Sequence, residues 1–449
     1  MPAILHLKPE EIDTAEKRQA YMVSVVGCGQ TGILYAVAFA EAGYRVICTD
    51  LDQSVIKSIA KGNVPYVARE AEIKLKRFAK TGQISATSDL KSAVSQSDII
   101  LIAIPVKFDD KKRADYSEIE RICKQVGVAL HRDTLVIYAG ITGFGVTEGV
   151  IKKLLENTSG FKVGDSLGFA YNPIYIPHSQ RSVTIRDQEL KIAAVDKNSL
   201  DFASKVLETV TEKAVHKISD IKTAEAATLF AIAKKDAHMA LANELAIFCE
   251  SAGIDYIETI KAAGLQDTGF SPTIAEENCR DGAYLLLENA ENLTVKLRLP
   301  GLARQINEQM ASHAVNLAQD ALHGCGKTLR RARIALLGNF QPQTAAEKLV
   351  HMLEKKGAKL NLYDPVPSVY EQASGSRMLK KSLIEAAEGA DCIMIISPLD
   401  VFKRLNLKKL YAVMKAPPAL VDLAGVIETQ KVEKEGFIYR GLGRGVRNR

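Results

Sequence analysis

Three glycines, Gly27, Gly29 and Gly32, fall in "YMVSVVGCGQTGILYAVAFAEAGY", where an apolar strand-like run gives way to a run with helical spacing. The first glycine permits a tight turn out of the strand. The second lets the backbone approach a pyrophosphate, and the third lets helix and strand pack closely. The helix start then presents unpaired N–H groups to phosphate. "RVICTDLD" follows as a second strand ending at Asp50, about twenty residues on, where a carboxylate accepts from both ribose hydroxyls. A 2′-phosphate would meet that negative charge, so the pattern favours NAD over NADP. A glycine turn kept only for packing is the bland alternative. The strand before and the acid after favour a dinucleotide site made of Gly27, Gly29, Gln30, Thr31, Gly32 and Asp50.

The same alternation continues. "SDIILIAIPV" and "DTLVIYAG" are short apolar runs bounded by polar residues, the signature of a doubly wound parallel sheet. From Lys222 to about Ser251 the pattern changes to one long helix without Gly or Pro, apolar around much of its circumference and so expected to be buried between domains or subunits. "GLARQINEQMASHAVNLAQDAL" reads as another. Strand–turn–helix logic then restarts in "RARIALLGNFQPQTAAEKLVHMLEKKGAKLNLYDP", with "DCIMIISP" and "PALVDLAG" as later strands. The expected fold class is α/β: an N-terminal Rossmann-type NAD domain over 1–208, a central long-helix region over 209–325 and a C-terminal Rossmann-like domain over 326–449.

Composition narrows the setting. Over 449 residues a net charge of +6 is mild, and the short tail "RGLGRGVRNR" is the only basic tract that stands out, so no nucleic-acid partner is expected. The most apolar runs are far too short to cross a bilayer, so no membrane partner is expected either. The seven cysteines are scattered and contain no C-x-x-C, which reads as reduced thiols in a cytoplasm and not as a disulfide frame or a zinc site; no metal is expected.

Across nearly its whole length the chain resembles the UDP-glucose/GDP-mannose dehydrogenase family, the nucleotide-sugar 6-dehydrogenases. The resemblance is carried in order by "VGCGQTG" with "VICTDLD", "GNVPY", "ADYSEIE" after "IPV", "YNPIY", "TAEAATLF…ALANELA" with "GID", "NCRDGAYLL", "ARQIN", "LLGNFQP", "LYDP" and "GFIYRGLGRG". It implies a nucleotide-sugar substrate, a homodimer built on the central helix, and oxidation of a sugar C6 alcohol to a carboxylate with two NAD. In that chemistry a cysteine captures the aldehyde as a thiohemiacetal and hydride loss gives a thioester.

Carried over residue by residue, the resemblance makes Cys279 the cysteine, with Glu276 and Glu277 where the family has phosphate-wrapping glycines. The family aspartate four residues after the cysteine has its nearest counterpart in Asp281, two residues after, in a shortened loop. The oxyanion lysine and its asparagine partner correspond to Thr228 and Ile232; Lys235 lies two turns past Thr228, about 10 Å by helix rise. The family's two acids correspond to Ile174 and His178, its threonine to Ile141, and its C-terminal-domain lysine to Gln341. Catalytic candidates are therefore Cys279 and Asp281, and substrate candidates Asn243, Arg304 and Asn307. For each, a plain structural role is the competing reading. Three functions stay open: a nucleotide-sugar 6-dehydrogenase with a rebuilt site, another NAD-linked reaction on a sugar nucleotide, and a non-catalytic NAD- or nucleotide-sugar-binding paralogue.

Overall fold

The structure is a computed structural model. It describes residues 9–64, 67, 69–176, 183–265, 271–274, 277–338, 340, 345–365 and 379–444. The chain divides into two compact units, residues 1–233 with 281–296, and residues 234–280 with 297–449.

The first unit opens on β1 (Met22–Val26), α1 (Gln30–Glu41) and β2 (Arg45–Thr49), followed by β3 (Ile84–Thr87) and β4 (Ile99–Ile102). A short hairpin, β5 (Lys107–Phe108) and β6 (Ala114–Asp115), precedes α2 (Ser117–Ala129). Then come β7 (Thr134–Tyr138), β8 (Leu167–Tyr171), β9 (Leu190–Ala194) and β10 (Val215–Lys217). The eight-stranded sheet has the order β10-β9-β8-β7-β4-β1-β2-β3. Every neighbouring pair is parallel except β8 with β9. The chain steps outward from β1 to β3 and returns to β4 on the other side of β1, so the strand order reverses between β1 and β4. A crevice forms at the carboxyl ends of the strands at such a point.

Burial explains why these runs are strands. Val23, Val25, Ile99, Leu101, Leu135 and Ile137 join the core on one face, while Val26, Ile100, Ile102, Val136 and Tyr138 join the core on the other. A strand buried on both faces alternates its side chains between two apolar layers, which gives the continuous apolar runs seen in the sequence.

Three long helices follow: α3 (Ile221–Ala252), α4 (Glu277–Asn292) and α5 (Arg298–Gly324). Ile221, Ala224 and Leu229 of α3 and Leu285 of α4 belong to the core of the first unit. In the second unit, β11 (Arg333–Leu337), α6 (Ala345–Lys355), β12 (Lys359–Tyr363), β13 (Cys392–Ile395), β14 (Ala419–Asp422) and β15 (Ile438–Gly441) complete the chain. They form an all-parallel sheet of order β12-β11-β13-β14-β15. Met310, Ala314, Ala318 and Leu322 of α5 pack with Ile334, Leu336, Cys392 and Met394 on one face of it.

The mixed α/β architecture expected from the sequence is the one observed. The local differences have physical reasons. Cys279 and Asp281, expected in a loop, lie in the first turns of α4, whose sequence "ENCRDGAYLLLENAEN" is rich in helix formers and opens on an acid, favourable at a helix N-terminus. The hairpin β5–β6 and the strand β15 carry too few apolar residues to announce themselves in the sequence.

Candidate functional site

At the switch point the strand ends enclose a cleft of about 230 Å³. Val26 and Gly27 contribute from the end of β1, Thr49 and Asp50 from the end of β2, and Ala103, Ile104 and Pro105 from the turn after β4. Lys107 enters from the hairpin, and Glu118 and Ile122 from α2.

The glycines do separate work. Gly27 has φ +90°, a left-handed conformation that side chains rarely adopt, and a Cβ there would lie 2.8 Å from the Ala103 carbonyl oxygen. A Cβ on Gly32 would lie 1.9 Å from the Gly27 carbonyl oxygen, so this glycine sets how closely α1 approaches the turn. Gly29 is different: a Cβ there would meet nothing within 4 Å. Its missing side chain leaves open space beside the backbone. Gly29 is also the N-cap of α1 and makes no side-chain cap, so no capping side chain occupies the helix start where Gln30 and Thr31 begin the first turn.

Asp50 is held in place from two sides. Its Oδ2 accepts from the Cys28 N–H at 2.8 Å and its Oδ1 from the Asp52 N–H at 3.0 Å. The glycine turn and the end of β2 are thus fastened to one carboxylate. Cys28, between the glycines, is buried, and neighbouring Cys48 together with burial pushes its thiol well above the ordinary value. It therefore packs as a small apolar residue. Space beside Gly29, an oriented carboxylate and a turn that exposes backbone suit an adenine dinucleotide with an unphosphorylated ribose.

Deeper in the first unit, Glu225 of α3 is fully buried. Its Oε1 accepts from the Thr147 N–H at 2.9 Å and the Thr142 hydroxyl at 3.2 Å, and its Oε2 from the Gly145 N–H at 2.6 Å. One side chain thereby ties down the loop after β7. Burial holds its carboxyl above the usual carboxylate range.

Around the positions where the resemblance expects catalytic groups, the side chains are apolar or internally satisfied. Thr228 donates its hydroxyl to the Ala224 carbonyl at 2.8 Å. Ile232 packs on Gly282, where an added Cβ would come within 2.6 Å of its Cδ1. Ile174 is buried and Ile141 packs against the core. Cys279 is fully buried, and Asp281 is half-buried. Two residues apart on a helix, they do not share a face; the residue four positions after the cysteine is Ala283. Glu276, His178 and Gln341 lie outside the described residues.

The three substrate candidates are brought together in the second unit, around a residue the sequence reading did not single out. Asp236 accepts from Arg304 Nε at 2.7 Å through Oδ2, and Arg304 Nη2 lies 2.7 Å from its Oδ1. Asn307 donates to the Asp236 carbonyl and to its Oδ1, both at 2.9 Å. Asn243 donates to Asn307 Oδ1 at 2.9 Å and accepts from the Thr273 N–H at 2.8 Å. All four side chains are buried. Burial raises the Asp236 carboxyl above its ordinary value, and Arg304 offsets part of that. Lys107 and Glu118 were also not singled out; Glu118 lies within "ADYSEIE", but nothing local shows that either residue reaches the cleft, as they do through the hairpin and α2.

Comparison with known proteins identifies the domains. Residues 21–211 match the NAD binding domain of the UDP-glucose/GDP-mannose dehydrogenase family, residues 222–309 its central domain and residues 343–429 its UDP binding domain. The UDP-N-acetyl-D-mannosamine dehydrogenase of Pyrococcus horikoshii is 28% identical over 437 residues, covering 94% of this chain and 99% of the relative. The UDP-glucose 6-dehydrogenase of Rhizobium meliloti is 25% identical over 448 residues, with 94% and 99% covered. Among solved structures, that of UDP-D-ManNAc dehydrogenase from Pyrococcus horikoshii superimposes with a TM-score of 0.82 at 26% identity, covering 95% of this chain and 100% of the other. With all three of its domains matched in order, this chain belongs to the UDP-glucose/GDP-mannose dehydrogenase family and carries that family's NAD-binding domain.

Proposed function

We propose that the chain is an NAD-dependent oxidoreductase acting on a nucleotide sugar. The observation that carries this reading is the switch-point cleft, with open space at Gly29 and the fastened Asp50 carboxylate, in a chain that also matches a UDP binding domain. NAD, when bound, supplies the hydride acceptor. The chain's part is to hold the ribose through Asp50, to admit the pyrophosphate beside Gly29 and the first turn of α1, and to present the sugar.

In the four-electron route the nucleophile is Cys279; Asp281, on another face of α4, is the second catalytic candidate. Asn243, Arg304 and Asn307 act by framing the segment at Thr273, since their polar groups are engaged with one another and with Asp236. A second reading, a single hydride transfer without a thioester, is favoured by Thr228 and Ile232, which supply no cation or amide for an oxyanion. Absorbance at 340 nm with a panel of nucleotide sugars tests the assignment. Two NADH per sugar, abolished by Cys279→Ser, supports the first route; one NADH, retained by that variant, supports the second. No absorbance change with any nucleotide sugar, alongside intact NAD binding, would instead favour a binding paralogue.

The assembly is a homodimer through α3, and the setting is cytoplasmic, consistent with seven buried cysteines that form no disulfide. No helix among the described residues is long and apolar enough to cross a membrane. For the domains we retain the boundaries 1–208, 209–325 and 326–449.

A further inference from the structure

The cleft has an unbalanced rim. Among its described lining residues are two acids, Asp50 and Glu118, and one cation, Lys107. A dinucleotide brings a diphosphate with two further negative charges. The start of α1 supplies partial positive charge, but among the described lining residues the full positive charge is that of Lys107. In the structure its Nζ lies 2.5 Å from Glu118 Oε2, with the lysine side chain 63% exposed. An ion pair that exposed contributes little to stability, so its lysine can exchange one anion for another at small cost.

The position of Lys107 depends on the hairpin. With two residues in each strand, Lys107 opposite Asp115 and Phe108 opposite Ala114, β5–β6 cannot hold itself. What holds it is α4. Glu288 Oε2 accepts from the Ala114 N–H at 2.9 Å. Arg113 reaches Glu291 at 3.2 Å and Glu288 at 4.0 Å. The Tyr284 ring packs against Phe108 and under the Lys112 ammonium. On the far side, Asp115 accepts from the Ser117 N–H at 2.9 Å and so ties the hairpin to the start of α2, which carries Glu118 and Ile122 into the cleft.

We propose that Lys107 is the side-chain cation for the cofactor diphosphate, held in reserve by Glu118, and that Glu288 is the positioning residue that sets it at the rim. The inference rests on the NAD reading and not on the identity of the sugar. Binding of NAD exchanges the Lys107–Glu118 pair for a Lys107–phosphate pair. Glu288 touches no cofactor and acts only through the hairpin.

The test is calorimetric titration of NAD into the full chain at low and high salt, without sugar, with thermal unfolding as the folding control. Lys107→Gln is expected to weaken NAD binding by about tenfold, the loss of one charge-assisted hydrogen bond, and to flatten the salt dependence, because a screened charge pair is gone. Lys107→Arg restores both. Glu118→Gln tightens binding by releasing the lysine. Glu288→Gln weakens binding but keeps the salt dependence, the mark of a cation still present but misplaced. Lys107→Gln binding NAD within twofold of the wild type, with an unchanged salt dependence, overturns the proposal while leaving the cofactor reading intact. A wild-type chain giving no heat with NAD brings both down.

Discussion

At the scale of single residues, Gly29 and Gly32 look alike in the sequence but separate sharply in space. Gly32→Ala drives a Cβ to 1.9 Å from the Gly27 carbonyl oxygen, an overlap with backbone that no rotamer relieves. The expected cost is about 1–3 kcal/mol of unfolding free energy, measured by urea denaturation, together with loss of NAD binding. Gly29→Ala meets nothing within 4 Å and its φ of −67° suits alanine. Its stability should fall by less than about 1 kcal/mol, while its NAD dissociation constant rises about tenfold or more as the methyl occupies the space beside the backbone. If Gly29→Ala binds NAD normally, the pyrophosphate does not pass there. This pair of residues also marks what the sequence makes legible. Gly27, Gly29, Gly32 and Asp50, proposed to hold NAD, lie within one strand–turn–helix–strand unit, so their spacing alone makes the motif legible. Lys107 reaches the same cleft on a hairpin fastened to α4, where Glu288 lies 174 positions from the Ala114 N–H it receives. No local pattern encodes a contact of that range.

At the scale of elements, α3 was readable end to end because thirty-two residues without Gly or Pro propagate one signal. What its polar residues bind was not readable. Asp236 lies 68 positions from Arg304. In a buried pair of this kind desolvation competes with attraction, and the raised Asp236 carboxyl shows desolvation prevailing. Removing one partner strands the other. Asp236→Asn is therefore expected to cost about 3–5 kcal/mol, and the double change Asp236→Leu with Arg304→Met much less than the sum of the two single changes. A denaturant double-mutant cycle reads this directly, and additive losses would mean the pair is not coupled. Glu225, near the start of the same helix, gives a pH signature. Its folded-state pKa lies above the ordinary value of 4.5 because burial disfavours the charge. A raised pKa means its contribution to stability is fully present below the unfolded value and is lost as pH rises through the folded one. Glu225→Gln does not titrate, so the stability difference between wild type and variant should move in the variant's favour as pH climbs from about 4.5 through the raised value. A difference flat across that window contradicts the shift.

At the scale of the whole molecule, the helix expected to be covered is only partly covered by its own chain. Leu241, Leu245 and Phe248 of α3 are exposed, Phe248 to 62%. At 3.6 residues per turn, positions 241, 245 and 248 return to one side of the helix. Scattered exposed apolar residues are ordinary, but a stripe along one helix face is an unpaired surface. A second copy is the simplest cover, because a two-fold axis lays the same stripe against itself and each phenylalanine gains an apolar neighbour. Aromatic residues in such a contact carry much of its free energy, and a carboxylate placed there is buried against an apolar surface with no partner. Phe248→Glu, on an already exposed side chain, should leave the fold and the NAD cleft intact while weakening self-association by at least about 100-fold. Light scattering coupled to size exclusion at micromolar concentration should then give twice the chain mass for the wild type and one chain mass for the variant. A wild-type chain that is already monomeric, or a Phe248→Glu chain that stays dimeric, means that α3 does not build the assembly and that this stripe is covered by something else.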